Sequence, residues 1–179
     1  SGVSSWNYNS ITIRPSGGVR KVNAGLTEPI LCVAGSNIVI NGRVNGIGGS
    51  NQLTFSNSSG PAINIINYYG VDNIALKYLN LEGVIESTTA GIVNVLSYVA
   101  SATTGIVIEN CKIGNPNGNA ANGIYAKASG SGKIGATVQN CEIANVWHPG
   151  LSSMGISINE GCEAWTITSN SFYQTSTRT

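Results

Sequence analysis

The chain has 179 residues and a formal net charge of +1, with only 9% of residues charged against a typical quarter. It contains no run of Lys or Arg, so attraction to nucleic acid or anionic lipid has no visible source and neither partner is expected. No apolar run approaches the roughly 20 residues of a bilayer span, and the start shows no charged segment followed by an apolar one.

In chain order, short β-branched stretches recur between Asn and Gly. The first is SITIRP (10–15), followed by Ile30-Leu31-Cys32. Then come Ile38 and Ile40, closed by Asn41-Gly42, and Ile63-Asn64-Ile65. Next stand Ile74, Leu76, Tyr78, Leu79 and Leu81, and after them Val93-Asn94-Val95. The segment GIVIENCKIGN (105–115) supplies Ile106, Ile108, Asn110, Cys111 and Ile113, and Ile124-Tyr125-Ala126 follows it. Thirty positions on, GATVQNCEIAN (135–145) repeats the pattern with Ala136, Val138, Asn140, Cys141 and Ile143, before Ile156-Ser157-Ile158. Trp165, Ile167, Ser169, Asn170 and Phe172 make a last, looser copy. Helix formers never cluster at a 3.6-residue period, so the class is all-β.

Two strand series alternating with a period near 30 residues point to stacked coils, because a hairpin sandwich would not restate the same side chain at the same phase. In a parallel β-helix equivalent residues lie above one another at roughly 4.8 Å and form ladders. One inward ladder is expected to contain Ile40, Leu76, Ile108, Val138 and Ile167, and another Ile63, Val93, Ile124 and Ile156. Asn64, Asn94, Tyr125 and Ser157 then point outward. The expected fold is a right-handed parallel β-helix of about five coils, one domain over 1–179, either whole or as a segment or protomer of a longer assembly.

With these coils in phase, the chain resembles the right-handed parallel β-helix, or pectin-lyase-like, superfamily over nearly its whole length. SITIRP, NIVINGRVNG (37–46), the two NC repeats and TITSNSFYQTSTRT (166–179) are most similar to segments of very large secreted bacterial surface proteins. The resemblance implies a secreted or cell-surface location, and it covers lyases, hydrolases, adhesins and tailspikes alike. The hydrolases use three aspartates with a His and an Arg-x-Lys element, whereas this chain has one Asp, Asp72. The calcium-dependent lyases use several acidic ligands on one strand face, and here that face is uncharged. A hard cation requires more carboxylate oxygen than it offers, so no metal, no cofactor and no catalytic residue is assigned.

Weaker candidates remain for ligand binding. His148 stands in VWHPGLSS beside Trp147, where an aromatic next to a His can form a sugar patch or a base paired with Glu142 or Glu160. Tyr125, Tyr98 and Trp147 could together bind glycan without turnover. The charged residues have a plainer use: Lys77 and Glu109 share an outward phase on successive coils, as do Lys112 and Glu142, and stacking would pair them. Cys111 and Cys141 share their phase with Leu79 and Asn170 and read as free packing thiols, although one rung also permits a disulfide. Cys32 shares its phase with Ile65, Val95, Ala126 and Ile158 and reads as buried. Cys162 falls in a turn, and Asn57-Ser58-Ser59 matches a glycosylation sequon.

Neither end carries a recognisable amphipathic cap, which leaves open an excised segment of a longer β-helix, a protomer stacking head to tail into a fibre and a capped monomer; the first two share the expectation that the terminal coils continue into other β-structure. The functional expectation is a non-catalytic extracellular structural or adhesive module, self-associating through its open ends. The alternatives are a polysaccharide-active enzyme and a glycan-binding module.

Overall fold

The computed structural model describes residues 10–68, 70–115, 119–129 and 131–175. The outermost residues of the domain expected over 1–179, including 176–179 of the last quoted segment, lie outside the described residues.

Each coil is three short strands. The first contains β1 (Ile11–Ile13), β2 (Arg20–Ala24) and β3 (Leu31–Val33), and the second β4 (Ile38–Asn41), β5 (Leu53–Asn57) and β6 (Ile63–Asn67). The third contains β7 (Ile74–Lys77), β8 (Leu79–Glu82) and β9 (Val93–Ser97). The fourth contains β10 (Thr103–Glu109), β11 (Lys112–Gly114) and β12 (Asn122–Ala128). The fifth contains β13 (Ile134–Gln139), β14 (Glu142–Ala144) and β15 (Met154–Ile158), after which β16 (Thr166–Thr168) and β17 (Ser171–Tyr173) begin another. Every strand pairs in parallel with its counterpart one coil away. The first sheet runs β1-β4-β7-β10-β13-β16, the second β2-β5-β8-β11-β14-β17 and the third β3-β6-β9-β12-β15. The protein is therefore an all-β parallel solenoid of about five turns with three parallel sheets, and no α-helix occurs among the described residues.

The predicted ladders are the core. Ile40 pairs with Leu76, Leu76 with Ile108, Ile108 with Val138 and Val138 with Ile167. Ile63, Val93, Ile124 and Ile156 stack likewise in the third sheet. All but the last member of each ladder are fully buried, each such side chain contributing about 1.5 to 3 kcal/mol against the ordering entropy of the coil.

Corners are set by residues in the left-handed region. Asn37, Asn73, Gly105 and Ala164 precede strands of the first sheet or lie at their entry, and Tyr78, Asn110, Asn140 and Ser169 separate the first sheet from the second, all with φ between 52° and 67°. Asn and Gly tolerate this conformation with least steric cost, which explains the asparagines of the repeat. Buried amides seal other corners: Asn67 Nδ2 donates to Thr103 Oγ1 at 2.6 Å and to Ser97 Oγ at 3.2 Å, while its Oδ1 accepts the Gly70 N–H.

One phase assignment is corrected. Val33, not Cys32, stands over Ile65, and Cys32 stands over Asn64. The strand is Leu31–Val33 rather than 30–32, and because side chains alternate, this slip of one residue turns Cys32 outward, where it is exposed.

Candidate functional site

The connections from the second sheet to the third at 83–92 and 145–153, and the described residues 119–121 of the connection between them, stack along the solenoid. Ile85 bridges Ala120, and the Ala120 N–H donates to Trp147 O at 2.8 Å. This stacking carries His148 to Glu86, two coils away: His148 Nε2 lies 2.7 Å from Glu86 Oε2. His148 Nδ1 accepts the Gly150 N–H at 3.0 Å, so in the neutral ring Nε2 bears the proton and donates to the carboxylate. The His148 N–H donates to Ser153 Oγ at 2.8 Å, and Asn119 Nδ2 reaches Glu86 Oε1 at 3.4 Å. The bond from His148 holds the Glu86 carboxyl below its ordinary range.

The expected pairing of His148 with Glu142 or Glu160 is thus replaced by Glu86. Glu142 is instead held by Lys112 at 3.3 Å and by the Tyr173 hydroxyl at 2.9 Å, which keep its carboxyl low, the Tyr173 bond contributing most. A general base needs a ring nitrogen open toward substrate. Here both nitrogens of His148 are engaged within the protein, and the side chain is only 10% exposed. The geometry is that of a clamp across loops of three coils.

The tyrosines gather on the outer side of the third sheet. Tyr98, just beyond β9, stacks on Tyr68, just beyond β6, with ring centroids 5.4 Å apart and 17° between planes. Both rings are about half exposed, whereas Tyr125 is 5% exposed. Burial, then Tyr68 and Tyr125, push the Tyr98 phenol up, and burial does the same for Tyr125. Tyr98 therefore makes its ring contact with Tyr68, while Tyr125 stands in register with Asn94, four residues before Tyr98. Trp147 lies on the opposite edge of the sheet, before β15, with a strand of roughly 17 Å intervening. The fold places Trp147 with His148, apart from the tyrosines. Tyr68 was legible in the sequence, since it follows Ile63-Asn64-Ile65 by the same interval at which Tyr98 follows Val93-Asn94-Val95.

A third feature is a depression of about 420 Å³ beside the second sheet, lined by Asn51, Tyr78, Asn110 and Asn140. It shares Lys112 and Glu142 with a smaller hollow of about 200 Å³ that Tyr173 closes. The long 42–52 connection of the second coil forms its wall, and Arg43 packs over the Tyr78 ring at 4.2 Å. Its charges are the mutually paired Lys112 and Glu142, so the floor is polar without a net charge. Among the described residues no three His, Cys, Asp or Glu side chains cluster as a metal site.

Cys111 and Cys141 are free and buried, one rung apart, since Lys112 pairs with Glu142. Burial pushes the Cys111 thiol well up. Leu79 occupies the next rung on one side, and on the other Asn170 Oδ1 accepts the Cys141 N–H at 2.8 Å. Cys162 is half-buried and bridges Ile134, and burial pushes its thiol up. The sequon residue Asn57 is 1% exposed, its Nδ2 donating to Glu28 O and Pro61 O, so the folded chain offers no acceptor amide there. No family model, curated protein or solved structure matches the chain.

Proposed function

We propose that this chain is a structural or adhesive extracellular module, secreted or at the cell surface, in which a rigid β-solenoid acts as spacer or rod element. The observation that carries this reading is where its ionic side chains go. Lys21–Glu82, Lys77–Glu109, Lys112–Glu142, Lys133–Glu163 and Glu86–His148 all join different coils. Groups that could have done acid–base work are engaged in holding one coil to another. The test is turnover: the protein is incubated with a panel of acidic and neutral polysaccharides, and reducing ends and unsaturated products are measured. No release is expected, and release abolished by His148→Ala would overturn the reading in favour of a polysaccharide-active enzyme.

A second reading, glycan binding without turnover, is favoured by one feature, the half-exposed Tyr68–Tyr98 stack. A glycan-array signal lost in Tyr98→Ala would select it, and an array without signal would remove it.

A further inference from the structure

The corner between the first and second sheets changes character at the third coil. Later coils carry Asn110, Asn140 and Ser169 at this corner, whereas the third coil places Tyr78 there, held at φ 55°. A bulky side chain is disfavoured in that conformation, and such outliers gather at binding sites. Tyr78 lies against the depression of about 420 Å³, a size within the roughly 300–1,000 Å³ of small-ligand sites. The wall of the depression is braced by its own hydrogen bonds. Asn51 Nδ2 donates to Leu79 O at 3.0 Å, Asn80 Nδ2 donates to Asn51 O at 3.2 Å, and Gln52 Oε1 accepts the Val44 N–H at 2.8 Å. Asn110 and Asn140 line the depression from successive coils, and their side-chain amides have no hydrogen-bond partner among the described residues. Corner amides elsewhere are paired: Asn73 Nδ2 donates to Asn37 Oδ1 at 3.0 Å, and Asn145 Oδ1 accepts the Thr175 N–H at 3.0 Å.

We propose that this depression binds a short neutral saccharide, held by the side-chain amides of Asn110 and Asn140. Each amide offers both donors and an acceptor, so a ligand that satisfies it must present both kinds of group side by side, as neighbouring sugar hydroxyls do. The coil spacing sets the two amides roughly 4.8 Å apart, close enough to engage adjoining parts of one ligand. Lys112 and Glu142, 3.3 Å apart, neutralise each other on the floor, so a charged ligand would lose hydration there without gaining an unpaired partner. Because the wall is fixed before the ligand arrives, little ordering opposes binding. The inference goes beyond the structural reading and places the ligand beside the second sheet, apart from the Tyr68–Tyr98 stack.

The test uses three variants. Asn110→Gly and Asn140→Gly remove the amides while keeping the left-handed corner, which glycine adopts readily. Gly49→Trp fills the depression from its wall, at a position where an added Cβ meets nothing within 4 Å. Circular dichroism melting verifies that each is folded. The probes are neutral trisaccharides of glucose, galactose, mannose and xylose, with the trisaccharide of galacturonic acid as the charged counterpart, titrated into isotope-labelled protein and followed by NMR. At least one neutral probe is expected to bind and to shift the side-chain amide signals of Asn110 and Asn140. Each glycine variant is expected to weaken that binding roughly threefold to tenfold, and Gly49→Trp to abolish it. The acidic probe is expected to bind more weakly than the neutral one. Absence of binding by every neutral probe overturns the proposal, and so does binding that survives Gly49→Trp. Shifts confined to Tyr68 and Tyr98 overturn it by moving the ligand to the tyrosine stack, and tighter binding of the acidic probe overturns the neutral chemistry. Polysaccharide turnover is read separately, so failure of this site and failure of the non-catalytic reading are distinguishable.

Discussion

At the scale of single residues the ladder positions dominate. Ile108 is fully buried between Leu76 and Val138, with no partner for a charge. Ile108→Asp is expected to cost several kcal/mol, about enough to unfold the coil, and urea denaturation measures it. The left-handed corners predict a change of the opposite sign. Ala164 is held at φ 53°, where a Cβ is unfavourable, so Ala164→Gly should gain up to about 1 kcal/mol in the same assay. Glu109 gives the pH dependence. Its carboxyl is lowered first by the bond from Lys77, 2.9 Å away, and also by Gln139. A depressed folded-state value means stability that is present above the ordinary carboxylate range and lost as pH falls through the folded value. The melting midpoint should therefore drop on acidification below about pH 4, and drop less in Glu109→Gln. These residue-level features were largely readable. Lys77 over Glu109 and Lys112 over Glu142 followed from phase alone, because a parallel in-register stack has a single period. Cys32 was misread because a three-residue strand bounded by Pro29 and Gly35 contains too few alternations to fix its face.

At the scale of elements, close approach between coils sets the tolerance. A Cβ added at Gly114 in β11 would lie 1.7 Å from the Ala144 carbonyl oxygen in β14. Gly114→Ala is expected to destabilise by about 1 to 3 kcal/mol or more, read as a lower melting midpoint. The loop clamp makes a local prediction. The Gly150 amide is bonded to His148 Nδ1, so its hydrogen exchange should accelerate in His148→Ala while the buried ladder amides keep their protection. The second sheet was only half legible. In the third to fifth coils its strands follow the first sheet after one or two corner residues and share its repeat, whereas β2 and β5 follow longer connections and fell out of register with it. The Glu86–His148 contact was illegible because 62 residues separate the partners and only the stacking of three irregular loops unites them. The tyrosine group was legible where it follows strands at equal intervals. Trp147 was misgrouped because adjacency to His148 gives no information about which edge of the third sheet it occupies.

At the scale of the molecule, the solenoid is a repeated coil-to-coil contact whose polar side chains tie coils and whose apolar ladders run its length. Six rungs at roughly 4.8 Å give a rod segment about 29 Å long. The thiols report on that arrangement as a whole: Cys32 should react with a thiol reagent in the native protein, and Cys111 and Cys141 only after unfolding. The most direct test of the account, that the ionic side chains of this solenoid hold its coils together and do no acid–base work on a substrate, is incubation of the purified protein with acidic and neutral polysaccharides and measurement of reducing ends and unsaturated products. The account predicts no release from any of them, and release that His148→Ala abolishes would contradict it.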